Sequence, residues 1–174
     1  RELWPNRTIG LIKVAEGATA LHDRWSASGG DLYDLLIDEL RTQMSDLSIE
    51  WRPQLVGFVW MQGESDAFGD AASAYQGNFL AFLQALRVDS GLPLLPVVAG
   101  LIAPQGGWPE AAAVRGATTR VADLVGPMEV VETSDLTMHP DDVAHYDTAS
   151  NITLGRRFAD AAVGIYGSAW SYPG

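Results

Sequence analysis

Apolar positions along the chain alternate between short continuous runs and stripes at helical spacing. Residues 8–14 (TIGLIKV) read as a buried strand. Beyond a loop containing Gly17, Gly29 and Gly30, the residues Tyr33, Leu36, Ile37, Leu40, Met44 and Leu47 recur on one helical face. Pro53 marks the entry to a second strand, residues 55–60 (LVGFVW), and a second helical stripe follows at Tyr75, Phe79, Phe82, Leu83 and Leu86, ended by Gly91 and Pro93. Residues 94–101 (LLPVVAGL) read as a third strand, in which Pro96 predicts an edge position or an early bulge. A Gly/Pro-rich loop then leads to a third stripe at Val114, Ala117, Val121, Leu124 and Val125, and residues 128–131 make a fourth strand. A polar loop over residues 134–147 precedes a last helix with Leu154, Phe158, Ala161 and Ile165 on one face. Strands and helices in strict alternation predict an α/β fold with parallel strands joined by crossover helices.

Composition narrows the function classes. The 174 residues fit one domain spanning residues 1–174, with 47% apolar content to fill a single core. There is no cysteine, hence no disulfide framework, thiolate nucleophile or cysteine-ligated metal. Acidic residues outnumber basic ones 22 to 11, for a net charge of -11, and Lys13 is the only lysine, which argues against nucleic acid as a partner. The acidic surplus is scattered and reads as a solvated surface. No apolar run approaches the ~20 residues of a membrane span. The chain starts at Arg1 rather than Met, which leads us to expect that an upstream segment has been removed.

In open parallel sheets the chemistry collects at the carboxyl ends of the strands. The loop after the second strand, Gln62-Gly63-Glu64-Ser65-Asp66, crowds an amide, two carboxylates and a hydroxyl around one glycine. Beside a buried strand such groups are costly unless used or mutually hydrogen-bonded; a simple helix-capping arrangement is the bland alternative. The loop after the fourth strand contains His139, Asp141, Asp142 and His145. A short turn brings the Asp142 carboxylate against the His145 imidazole, fixing its tautomer and leaving the other ring nitrogen as a general base. Two histidines and two aspartates are also a candidate zinc set, though without ligand spacing. His22 reads as a surface residue.

Three blocks carry a family resemblance. GFVWMQGESDA resembles the W-x-Q-G-E-[ST]-[DN] block of the SGNH hydrolases in the sialate O-acetylesterase and carbohydrate esterase family 6 group, which includes acetylxylan esterases. DDVAHYDTASNITLGRRFADAA resembles their D-x-x-H block with its trailing helix, and IGLIKVAEGATALHDRW is similar to their segment around A-x-G-G-T. The resemblance implies a three-layer α/β/α sandwich with a flavodoxin-like sheet and a serine esterase that removes O-acetyl groups from carbohydrate. It implies His145 as general base and acid and Asp142 as the carboxylate that orients it, with Glu64 as a rival for that place. It further implies Gln62 as side-chain donor and Gly17 as backbone donor of the oxyanion hole. No cofactor or metal is implied. The expected partner is an acetylated carbohydrate, and the expected location is extracellular or periplasmic.

The chain departs from the family pattern twice. Ala18 stands where the family commonly has a second glycine, a costly residue if the position needs positive φ. The nucleophilic serine of the family lies in a G-Q-S-N type block that these residues lack. Ser65 is the local candidate, but Ala67 breaks the G-x-S-x-G pattern. In a flavodoxin-like order the absent strand would lie between residues 8–14 and residues 55–60. The expectation is therefore a larger part of a longer domain, whose serine sits on an upstream segment. A non-catalytic carbohydrate-binding domain that lost its nucleophile is the alternative; a metallohydrolase is a third. Trp25, Trp60 and Trp108, near the active-end loops, are candidates for stacking on sugar rings or for ordinary packing.

Overall fold

The computed structural model describes residues 8–166. Three parallel strands, β1 (Phe58–Met61), β2 (Val97–Gly100) and β3 (Met128–Val131), form a sheet in that order. The crossovers are the helices α2 (Gly69–Asp89) and α3 (Ala111–Val125), while α1 (Asp31–Leu47) precedes the sheet. A two-stranded antiparallel hairpin, β4 (Met138–His139) and β5 (Asp142–Tyr146), leads into α4 (Thr148–Tyr166). The α/β class follows as the alternation predicts.

Strand parity divides the core. Phe58, Trp60, Val97 and Ala99 face α1, α2 and α3, whereas Met61, Val98 and Val131 face Leu154, Phe158 and Ile165 of α4. The result is three layers, with β2 buried at every position between its neighbours. Trp25 and Trp60, both about 5% exposed or less, meet edge to face with ring centroids 5.3 Å apart, and Trp60 also packs on Phe82. These two are core aromatics rather than sugar platforms. Trp108 is partly buried against the same cluster.

Two ends are fixed by arginines. The Arg24 carbonyl accepts from the N–H groups of Leu32 and Tyr33, while its guanidinium grips Asp31 in the first turn of α1 at 2.9 and 2.6 Å. That close approach explains Gly30, where any Cβ would lie 2.4 Å from the Arg24 carbonyl oxygen. At the end of α2, Arg87 donates to the carbonyls of Leu95 and Val125, joining the starts and ends of neighbouring elements.

Three sequence expectations are corrected. Residues 8–14 pair with no described strand, and Leu11 is 89% exposed; the outer edge of β1 is likewise unpaired among the described residues. Without a ladder, an apolar run does not make a strand. Pro96 does not mark an edge: β2 is central, and the proline stands one residue ahead of the ladder, where it needs no N–H and its carbonyl accepts from Phe58. The polar loop over residues 134–147 contains the β4–β5 hairpin, whose apolar alternation is too weak to read, with Val143 71% exposed.

Candidate active site

The loop after β1 turns sharply at Gly63. Its φ of +143° and its surroundings both require glycine, since a Cβ would lie 2.7 Å from Val114 Cγ1 and 3.1 Å from Ile102 Cγ2. Changing Gly63→Ala is expected to destabilise the protein by about 2–4 kcal/mol, combining backbone strain with overpacking. Urea denaturation measures it, and an unchanged midpoint would show that the loop relaxes freely. Beneath this turn lies the fully buried Tyr75, whose hydroxyl donates to the Gln62 carbonyl at 3.0 Å. Burial pushes the Tyr75 phenol well above its ordinary range, so it acts as a neutral donor.

The Gln62 amide faces inward. Its nitrogen donates to the Asp66 carboxylate at 2.6 Å and to the Thr19 carbonyl at 3.0 Å, which occupies both of its hydrogens. To serve as the oxyanion donor implied by the resemblance, Gln62 would have to exchange one of these bonds. The segment it holds contains the other implied donor. Residues 17 and 18 form an exposed turn, and no hydrogen bond inside the described chain takes the N–H of Gly17 or Ala18. Ala18 adopts φ 58°, a left-handed conformation that costs a residue with a Cβ about 1–2 kcal/mol. Where the family pattern has a second glycine, this chain therefore holds an alanine in a strained left-handed conformation.

His145 and Asp142 meet as their spacing predicts: Nδ1 of His145 hydrogen-bonds Oδ2 of Asp142 within strand β5. The carboxylate only accepts, so Nδ1 carries the proton and Nε2 is left as the basic nitrogen. The Asp142 carboxyl is held below its usual range by this bond and by the Ala144 N–H. The imidazole is 77% exposed, and no hydrogen bond among the described residues takes its Nε2. Glu64 sits within electrostatic reach of His145. Burial raises the Glu64 carboxyl above its ordinary value, while the N–H groups of Glu64 and Gly63 and the nearby imidazole pull the other way. The neighbouring Tyr146 hydroxyl is buried without a partner of bonding geometry among the described residues, near Thr133 and Glu64.

Other candidates separate from this group. Ser65 makes no hydrogen bond to a histidine. His139 accepts from the Asp141 N–H at 3.2 Å, and no set of three or more His, Asp or Glu side chains among the described residues is arranged to hold a metal ion. His22 is no plain surface residue: Nδ1 lies 2.9 Å from Oδ1 of the buried Asp66. Asp66 and its links to Leu21, His22 and Gln62 went unread in the sequence, where the only signal was the crowding of polar groups after β1.

A parallel three-stranded sheet, an imidazole oriented by a carboxylate and a strained turn with free N–H groups make this an α/β protein that carries the elements of a candidate acyl-transfer site. The chain belongs to the carbohydrate esterase, sialic acid-specific acetylesterase family, whose model matches residues 2–164. It is 27% identical over 154 residues to an Arabidopsis thaliana protein named "Probable carbohydrate esterase", covering 88% of this chain and 55% of that one. The solved structure of that Arabidopsis protein superposes with a TM-score of 0.73 at 25% identity, over 86% of this chain and 58% of the other. A carbohydrate acetylesterase from Xanthomonas citri shares the fold, with a TM-score of 0.57 at 22% identity over 66% of this chain and 27% of that one. The chain thus spans little more than half the length of the Arabidopsis relative. No helix among the described residues is long and apolar enough to cross a membrane.

Proposed function

We propose that this chain is the base-bearing part of a serine esterase that removes O-acetyl groups from carbohydrate, its nucleophile supplied by a segment of the full-length protein outside these 174 residues. The observation that carries the reading is the Asp142–His145 pair, whose exposed ring keeps Nε2 free of any hydrogen bond among the described residues. In the reaction, Nε2 takes the proton of the serine hydroxyl as its oxygen attacks the acetyl carbonyl. The oxyanion that forms is met by the free N–H groups at Gly17 and Ala18. The sugar alkoxide leaves with the proton from His145, giving an acetyl-serine, and water then repeats the sequence to release acetate.

Two further features support an upstream contribution. The outer edge of β1 and residues 8–14 both lack a ladder partner among the described residues, and a strand between them would satisfy both. Acetylated polymeric glycans would be met outside the cytoplasm, in the extracellular space or periplasm. The test uses the full-length protein with p-nitrophenyl acetate and an O-acetylated sugar, followed by labelling with a serine-directed fluorophosphonate and peptide mapping. Label on a serine upstream of this chain is the expected result; label on Ser65, or hydrolysis by residues 1–174 alone at the full-length rate, overturns the placement of the nucleophile.

A further inference from the structure

Asp66 is completely buried, yet every contact its carboxylate makes reaches the loops of the candidate site. Oδ2 accepts from the Leu21 N–H at 2.7 Å and from Gln62 Nε2 at 2.6 Å. Oδ1 accepts from the His22 ring at 2.9 Å and, more weakly, from the His22 N–H at 3.4 Å. The second Gln62 hydrogen continues to the Thr19 carbonyl at 3.0 Å, and the Thr19 hydroxyl is itself held, donating to the Glu16 carbonyl at 2.9 Å and accepting from Trp25 at 2.8 Å. One carboxylate therefore ties Leu21 and His22, 45 and 44 positions away along the chain, to the loop after β1, and through Gln62 it is linked to Thr19. Immediately before the tied segment stands the turn with unpaired N–H groups and Ala18 in the left-handed region. A strained conformation persists only where its surroundings over-determine it, and Asp66 is the centre of those surroundings.

We infer that Asp66 is a positioning residue of the esterase: it sets the Gly17–Ala18 turn so that the free N–H groups meet the developing oxyanion, and it touches no substrate itself. His22 closes the exposed side of the clasp. The catalytic half of this assignment rests on the esterase reading above; the mechanical half does not. Donors aimed at a transition-state oxygen raise kcat while leaving ground-state binding nearly alone, so their misplacement has a kinetic signature that loss of bulk stability lacks.

The experiment uses Asp66→Asn and His22→Ala in the full-length protein. An asparagine keeps one acceptor but turns an NH2 group toward donors. Asp66→Asn is expected to lower kcat about 10- to 100-fold with KM within about twofold, and to weaken inhibition by a small alkylboronic acid in the same proportion. Amide hydrogen exchange at residues 17–22 accelerates at least about tenfold while the α2 core stays protected. His22→Ala, removing a ring whose side chain is 47% exposed, is expected to lower kcat by about three- to tenfold with the same exchange signature, and it decides the matter if Asp66→Asn does not fold. Unchanged kcat in the folded variant overturns the catalytic role, and unchanged exchange at residues 17–22 overturns the clasp. Failure of the esterase reading shows separately, as an inactive wild type or a His145→Ala variant as active as wild type; exchange then decides the mechanical half alone.

Discussion

Replacing His145→Ala in the full-length protein is expected to lower kcat for ester hydrolysis by about 10³-fold or more, leaving only the contribution of bound-state geometry and oxyanion donors. The size follows from chemistry. A serine hydroxyl is a weak nucleophile unless a base takes its proton during attack, and Nε2 of His145 is the basic nitrogen that the Asp142 bond leaves free. Stability should barely move, because the ring is 77% exposed and its hydrogen bond lies at the surface. Steady-state hydrolysis of p-nitrophenyl acetate together with thermal unfolding measures both. Hydrolysis that survives undiminished in a folded variant removes His145 from the mechanism.

The second expected result separates the two carboxylates that compete to orient the imidazole. Asp142→Asn should cost about 10²- to 10⁴-fold in kcat, since an amide at Oδ2 can present an N–H to Nδ1 and favour the wrong tautomer. Glu64→Gln should cost less than about tenfold, because no hydrogen bond joins Glu64 to the ring and its influence is electrostatic. The variants also part in their effect on stability. The Glu64 carboxyl is raised from an ordinary value of 4.5 by burial, so the folded state disfavours its ionised form. A raised carboxyl contributes stability fully below the unfolded value, and that stability is lost as pH rises through the folded value. Glu64→Gln should therefore gain stability relative to wild type at about pH 7 and show no such gain well below pH 4.5. Asp142, lowered by its bond to His145, has the opposite sign: its contribution is present above its unfolded value and lost as pH falls through the folded one. A larger kinetic loss from Glu64→Gln than from Asp142→Asn would reverse the assignment.

The sheet and helices were legible because their signals are local. The fourth strand appears at Met128–Val131 as its apolar run requires, and Tyr33, Leu36 and Ile37 face the core from α1 as their spacing demands. Pro96 misled because a proline one residue outside a ladder looks in sequence like a proline within it. Residues 8–14 have strand composition, yet pairing depends on a neighbour that composition cannot show. The Asp142–His145 pair was legible for the same reason as the helices, since only three positions separate its partners. The Asp66 clasp was not, because it closes over 44 positions between two loops, and the polar crowding after β1 says only that the groups must satisfy one another. Ala18 is intermediate: the sequence marked the position as one where φ matters, and only the backbone tells its sign.

Placing Asp142 and His145 on the single short strand β5 has a dynamic consequence. The imidazole and the carboxylate share one backbone segment, so any displacement of the hairpin would carry both together and leave their mutual alignment unchanged. The loop-closure entropy for bringing them together is near its minimum at such a short separation. Such a displacement would change the place of the imidazole relative to β1–β3 while its tautomer stays fixed. Proton readiness and reach become independent variables in this fold.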